Sequence, residues 1–244
     1  MKMPDSISVP SIVFALGHRA RSGKDEACKA ILSKLHGTPI MEYDPSIVWN
    51  IKHYSFARAL KAEVTNLALN SGGMAALFSD GYRYEGAGFM RANGDVVSLP
   101  DWVQYDLEDG DSDCPLGKSR TFLQFWGVFK RQDDPDYWIK KVEAQIVFEQ
   151  PDVALISDCR FINEMAWSQK HGFAVRVDRS DLPRLDGEAA THVSELALAG
   201  VPNENWDAIL ANDCSIEEFR NRAVFLFQML MSSIPTQRPT SVNN

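Results

Sequence analysis

A chain of 244 residues, 45% hydrophobic and 24% charged, can bury one substantial α/β core and perhaps a small appendage, so one domain is the default. Its formal charge of −8 argues against a nucleic-acid-binding surface, because a polyanion is repelled on average. No stretch approaches the roughly 18–20 continuous apolar residues of a membrane span, and the first ten residues lack a signal-peptide core, so the expected location is cytoplasmic.

Residues 1–10 read as an N-terminal extension. The apolar run Ile12 to Leu16 predicts a buried strand that breaks at Gly17, and Gly23-Lys24 opens a helical pattern from Asp25 to Leu35, closed by His36-Gly37 and Pro39. Strand, glycine turn and helix in this order predict a phosphate-binding loop, in which backbone N–H groups and the helix dipole hold a triphosphate. Lys24 adds a mobile point charge for the outer phosphates. Two residues depart from GxxxxGK[ST]. His18 stands where the first glycine belongs, with Gly17 one position early, and Asp25 replaces the magnesium-binding hydroxyl. A loop can absorb one extra residue, and a carboxylate is itself a hard magnesium ligand. The structural alternative is a tight strand-to-helix turn in which Asp25 only favours the helix dipole. His18, Arg19, Arg21 and Lys24 make the loop locally basic.

A second strand is expected within Ile47 to Phe56, followed by a helix through Leu60, Val64 and Leu67 to Asn70. Residues 72–118 change character: they are rich in Gly, Asp and aromatics, hold an Arg91-Ala-Asn-Gly-Asp95 turn between strands, and include the acidic run Glu108 to Asp113, which reads as solvated. The segment predicts an inserted lid or hairpin region. Its aromatics Tyr82, Tyr84, Phe89, Trp102 and Tyr105 either stack on a base or form the insertion's own small core.

Regularity returns with helices over Phe122 to Phe129 and Pro135 to Glu149, the latter with Asp134 as cap and Pro135 at its first position. Strands follow at Val153 to Ser157 and Phe173 to Val177, flanking a helix from Phe161 to Lys170 closed by His171-Gly172. Trp206 to Leu210 is expected to be the last strand, and Ser215 to cap a final helix with Glu218 in a box-like arrangement. Residues 235–244 read as a flexible tail. Cys28, Cys114, Cys159 and Cys214 are scattered without a CxxC pair and read as reduced thiols. Alternating strands and helices predict an α/β fold, a parallel sheet covered by helices on both faces.

At the end of the strand Val153 to Ser157 stand Asp158 and Arg160. Ligands in parallel sheets sit beyond the carboxyl ends of strands, so both residues belong on the edge that carries the phosphate loop. Asp158 suits magnesium or its waters, and Arg160 suits a phosphoryl group in flight. The alternatives, level with these readings, are a helix N-cap for Asp158 and an i,i+4 salt bridge between Arg160 and Glu164.

Taken together, these residues resemble the bacteriophage deoxynucleoside monophosphate kinases, adenylate-kinase-like P-loop kinases. The resemblance runs in family order over residues 11–222. It takes in Arg21-Ser-Gly-Lys-Asp25, Phe56-Ala with Leu60-Lys61, Arg120 with Leu123-Gln124 and Gly127, and Tyr137-Trp138. It continues through Asp158-Cys-Arg160-Phe with Asn163-Glu164, Arg176-Val-Asp-Arg179, His192 with Ser194-Glu195, and Ile209 with Asn212-Asp213. The family also carries Asp after the loop lysine; the extra residue between Gly17 and Arg21 departs from it, and 72–118 matches poorly. The resemblance implies a P-loop kinase domain over 11–234 that moves the ATP γ-phosphoryl to a deoxynucleoside 5′-monophosphate, giving the diphosphate and ADP with Mg²⁺. It implies donor binding by Gly17, Arg19, Arg21, Ser22, Gly23, Lys24, Asp25 and Arg179, magnesium at Asp25 and Asp158, and catalysis by Lys24, Arg120, Asp158 and Arg160. Acceptor binding falls to Arg58, Lys61, Arg120 and Arg131. The expected partners are small molecules alone, with no nucleic acid or membrane; a homodimer is left open, and a phage-encoded chain would work in the host cytoplasm. The alternatives are a P-loop kinase for another phosphorylated acceptor, such as dephospho-coenzyme A or phosphomevalonate, and a nonenzymatic nucleotide-binding module.

Overall fold

The computed structural model describes residues 11–41, 44–69, 83–85, 88–90, 96–98, 120–180 and 196–234. The chain divides into two compact units, Met1–Tyr54 with Glu143–Asn244, and Ser55–Val142.

The first unit is built on a five-stranded parallel sheet. Its strands are β1 (Ile12–Gly17), β4 (Ile51–Tyr54), β8 (Val153–Cys159), β9 (Gly172–Asp178) and β10 (Ala208–Ala211), in the order β10-β9-β1-β8-β4. Central β1 and β8 are almost wholly buried, which is why both read as unbroken apolar runs. α1 (Lys24–Leu35) lies on the path from β1 toward β4, and α5 (Ile162–His171) carries the chain from β8 back across β1 to β9. Right-handed crossovers in these opposite directions place α1 and α5 on opposite faces. The fold is therefore the expected α/β class, with helices on both faces of the sheet.

Strand alternation divides the core. Phe14, Leu16, Val153, Leu155, Val175 and Val177 pack with Ala27 and Ile31 of α1 and with Phe219, Ala223 and Phe227 of the last helix, α6 (Ile216–Ser232). The Phe227 ring sits 5.0 Å from that of Phe14 and 6.1 Å from that of Trp49. Two polar links also join α1 and α6: Arg220 Nε donates to Glu26 Oε1 (2.6 Å), and Lys34 to Asn221. Each buried aromatic or aliphatic side chain contributes about 1.5–3 kcal/mol, against about 0.2–1 kcal/mol for an exposed pair, so apolar packing holds this helix pair together.

α5 runs straight into β9 at Gly172, which faces Val13 in the sheet. A Cβ at Gly172 would come within 2.0 Å of the Val13 carbonyl oxygen, a backbone atom that cannot step aside. Gly172→Ala should therefore force β9 away from β1 and cost roughly 3–5 kcal/mol, read as a lowered midpoint in denaturant unfolding.

Several boundaries differ from expectation. An antiparallel pair, β2 (Pro39–Met41) and β3 (Asp44–Val48), was not expected: Pro39 reads only as the close of the preceding helix, and of the strand expected within Ile47 to Phe56 the first two residues belong to β3 and Ile51–Tyr54 to β4. β8 extends two residues past Ser157. Trp206 is not in the last strand: it follows a 3₁₀ turn (Asn203–Asn205), and β10 begins at Ala208. Ser215 caps α6 as expected, its Oγ accepting from the Glu218 amide (3.3 Å). Among the described residues Cys28, Cys159 and Cys214 are free thiols; Cys114 lies outside them.

In the second unit, α2 (Phe56–Leu69) and α3 (Arg120–Asp133) pack together. A three-stranded antiparallel meander comprises β5 (Arg83–Glu85), β6 (Gly88–Met90) and β7 (Val96–Ser98). β6 and β7 are the strands expected on either side of 91–95, and Tyr84 pairs with Phe89 across β5 and β6. The remainder of 72–118, with Tyr82, Trp102, Tyr105 and the acidic run, lies outside the described residues, as do 1–10, His192 and 235–244. α4 (Tyr137–Glu149) starts two residues later than expected, because Pro135-Asp136 form a turn closed by the Tyr137 amide on the Asp134 carbonyl (3.0 Å).

Candidate functional site

The carboxyl ends of the first unit's strands share one edge. In register, Gly17 lies opposite Cys159 on one side and Arg176 on the other, and Ala211 lies opposite Asp178. The loop after β1, Asp158-Arg160 at the end of β8, Asp178-Arg179 at the end of β9 and Asn212 just past β10 therefore converge. The chain turns in opposite directions from β1 and β8, so the switch point of the sheet, where parallel α/β folds bind ligands, falls between the phosphate loop and Asp158.

The loop itself explains its extra residue. Gly17 is required by close approach: a Cβ there would lie 2.8 Å from the Trp206 ring and 3.0 Å from the Cys159 carbonyl oxygen. The left-handed turns come afterwards, at His18 (φ 91°), Arg21 (φ 60°) and Gly23 (φ 108°). Gly17 thus seals the strand end against Trp206, and His18 takes the backbone conformation usually left to glycine.

Lys24, the first residue of α1, is buried. Its ammonium donates to the His18 carbonyl (3.2 Å), to the Arg19 carbonyl and to Ser22 Oγ (3.2 Å), so the charge lies within its own loop. Ser22 is fully buried, while Arg19, Arg21 and Asp25 are exposed. The buried His18 ring has Nδ1 3.8 Å from Asp178 Oδ1. Burial chiefly, then the Arg176 guanidinium, lowers its pKa to about 4 against the opposing pull of Asp178, so His18 is neutral near pH 7. Arg176 Nη1 donates to Asn203 Oδ1 (2.9 Å), and its Nη2 to Asp178 Oδ2 (3.3 Å).

Asp158 is half-buried at the end of β8. It is not a helix N-cap, because Phe161 holds that position before α5. The Glu164 carboxylate closes the helix start by accepting the amides of Arg160 (2.8 Å) and Phe161 (3.1 Å). Asp25, Asp158 and Lys24 all reach the Cys28 thiol electrostatically: burial chiefly raises its pKa, both carboxylates add to this, and Lys24 opposes. His53 Nε2 lies 2.8 Å from Ser157 Oγ. Arg160 and Arg179 are half-buried on the same edge.

The remaining predicted residues lie in the second unit. Arg58 and Lys61 are exposed on α2, and their i,i+3 spacing puts them on one face. Arg120 opens α3. Arg131, on the same helix, donates from Nη1 to the Gly127 carbonyl (3.1 Å). Sequence reasoning missed Glu63, whose carboxylate accepts from Trp126 Nε1 (3.0 Å), Tyr137 OH (2.7 Å) and Lys141 (3.1 Å), with the Lys130 ammonium 3.9 Å away. That hub joins α2, α3 and the start of α4. Asn212 stands in the last of the segments that carry the resemblance, but no role was assigned to it; its contact with the Ser22 carbonyl (2.8 Å) is a finding of the structure.

No protein-family model matches the chain, and no curated protein sequence matches it. Solved structures similar to it include dephospho-CoA kinase from Campylobacter jejuni, 12% identical over 90% of this chain and 98% of that one, with a TM-score of 0.47. Another is TT1252 from Thermus thermophilus, 14% identical over 92% and 99% of the two chains, with a TM-score of 0.42. Among the described residues, no helix is long and apolar enough to cross a membrane.

Proposed function

We propose that this chain is an ATP-dependent phosphotransferase whose acceptor is a deoxynucleoside 5′-monophosphate. The observation that carries the donor half is the convergence of the Gly17–Lys24 loop with Asp158 and Arg160 at the switch point of a parallel sheet. A loop rich in left-handed residues, followed by a helix start and a lysine, suits an oligophosphate. The acceptor half rests on the ordered segments of the sequence.

In this reading the loop backbone and Lys24 hold the donor phosphates, with Arg19, Arg21 and Arg179 at the outer phosphates or the base. Asp25 and Asp158 fit magnesium. They are oxygen donors, neither is buried, and magnesium takes only one or two protein carboxylates beside substrate phosphates and water. When bound, the ion would neutralise charge on the donor. Arg160 and Arg120 balance charge on the migrating group, and Arg58, Lys61 and Arg131 hold the acceptor phosphate. Such transfer depends on alignment and charge neutralisation more than on covalent chemistry.

An acceptor panel tests the reading in an assay coupled to ADP formation. The panel holds deoxynucleoside and ribonucleoside monophosphates, dephospho-coenzyme A and phosphomevalonate. ADP release that requires a deoxynucleotide is expected. Turnover with another acceptor alone would reassign the substrate, and MgATP binding without turnover on any acceptor would leave a binding module.

A further inference from the structure

Asn212, just past β10, touches the phosphate loop at Ser22 and Gly23. Its side-chain Nδ2 donates to the Ser22 carbonyl (2.8 Å), and its own backbone amide is fixed on the Asp178 carbonyl (2.7 Å). The contact is close: a Cβ on Gly23 would fall 2.6 Å from Nδ2 and 3.1 Å from the Phe219 ring. A trans peptide sets its C=O and N–H antiparallel. Holding the Ser22 carbonyl toward Asn212 therefore aims the Gly23 amide the opposite way and stops the Ser22–Gly23 peptide from flipping. At the other end of the loop, the His18 ring lies beside the Asp178 carboxylate. Both ends of an oversized loop are thus referred to neighbouring residues at the ends of β9 and β10.

We propose that Asn212 is a positioning residue for the phosphate loop, locking the Ser22–Gly23 peptide in the orientation that lets the Gly23 amide donate to a bound phosphate. Deepening the function proposed above, this rests on the loop binding the donor nucleotide. A loop one residue longer than GxxxxGK[ST] has more conformations to lose, and a strut from outside restricts them before ligand arrives. Asn212 touches no reacting atom in this role; it acts through the Ser22 carbonyl.

The test is binding of Mg²⁺·AMP-PNP by calorimetry to the full-length chain and to Asn212→Asp, which keeps the shape but sets a carboxylate against the Ser22 carbonyl. Asn212→Ala, which simply lacks the donor, is the second variant. Thermal unfolding without nucleotide is measured in parallel. The expected result is a dissociation constant raised about tenfold in both variants, from loss of one part-buried hydrogen bond and its preorganisation, with nucleotide-free melting within a few degrees of the parent. Dissociation constants within twofold of the parent would overturn the role of Asn212 and leave the function intact. Weaker binding only in proportion to lost melting temperature would also overturn it, as a structural effect. If the unaltered chain bound no nucleotide, the function proposed above would fall and this inference with it.

Discussion

Lys24→Ala is expected to lower phosphoryl transfer about 10²–10³-fold, the loss typical of removing one preorganised charge donor from a reacting oxyanion. The lysine is buried among carbonyl oxygens and a hydroxyl of its own loop, so its charge sits in poor dielectric where each interaction counts for more than in water. Lys24→Arg should fail to rescue. The space that takes a compact ammonium between the His18 carbonyl and Ser22 Oγ does not suit a planar fork. The check is kcat at saturating ATP and acceptor, with far-UV circular dichroism to show the fold is retained. A decrease below threefold would place the donor phosphates elsewhere.

Asp158→Asn is the second large effect. The substitution is isosteric and leaves β8 pairing undisturbed, but it replaces a charged oxygen donor with a neutral amide at the switch point. Transfer should fall about 10²-fold or more, and the magnesium concentration for half-maximal rate should rise, since one of the two carboxylates proposed to hold the ion is gone. Titrating Mg²⁺ at fixed ATP reads both. A lower rate with an unchanged magnesium midpoint would assign Asp158 to the substrate and not to the metal.

How much of this was legible in the sequence depends on where each determinant lies. The central strands Ile12–Gly17 and Val153–Cys159 are buried on both faces and so read as plain apolar runs. Ser215 and Glu218 state their cap within four residues. The phosphate loop was recognisable from local order alone, but its irregular spacing was not explicable locally. The ring that demands glycine at position 17 belongs to Trp206, and the group that steadies Ser22 belongs to Asn212, both nearly two hundred residues away. Trp206 misled for the same reason. It has the apolar character of a strand residue, yet its burial comes from covering the end of β1. Asp158 shows the converse: cap and ligand were equally readable from sequence, and the extra length of β8 removed the cap reading by leaving that position to Phe161.

The most direct test of the central claim is phosphorus NMR of the unaltered protein with Mg²⁺, ATP and a single deoxynucleoside monophosphate. The account predicts that ATP signals decline while ADP and the deoxynucleoside diphosphate grow in equal amounts, and that omitting the acceptor stops both. ADP appearing with inorganic phosphate in place of the diphosphate, or no change in any signal with a protein that binds MgATP, would contradict it.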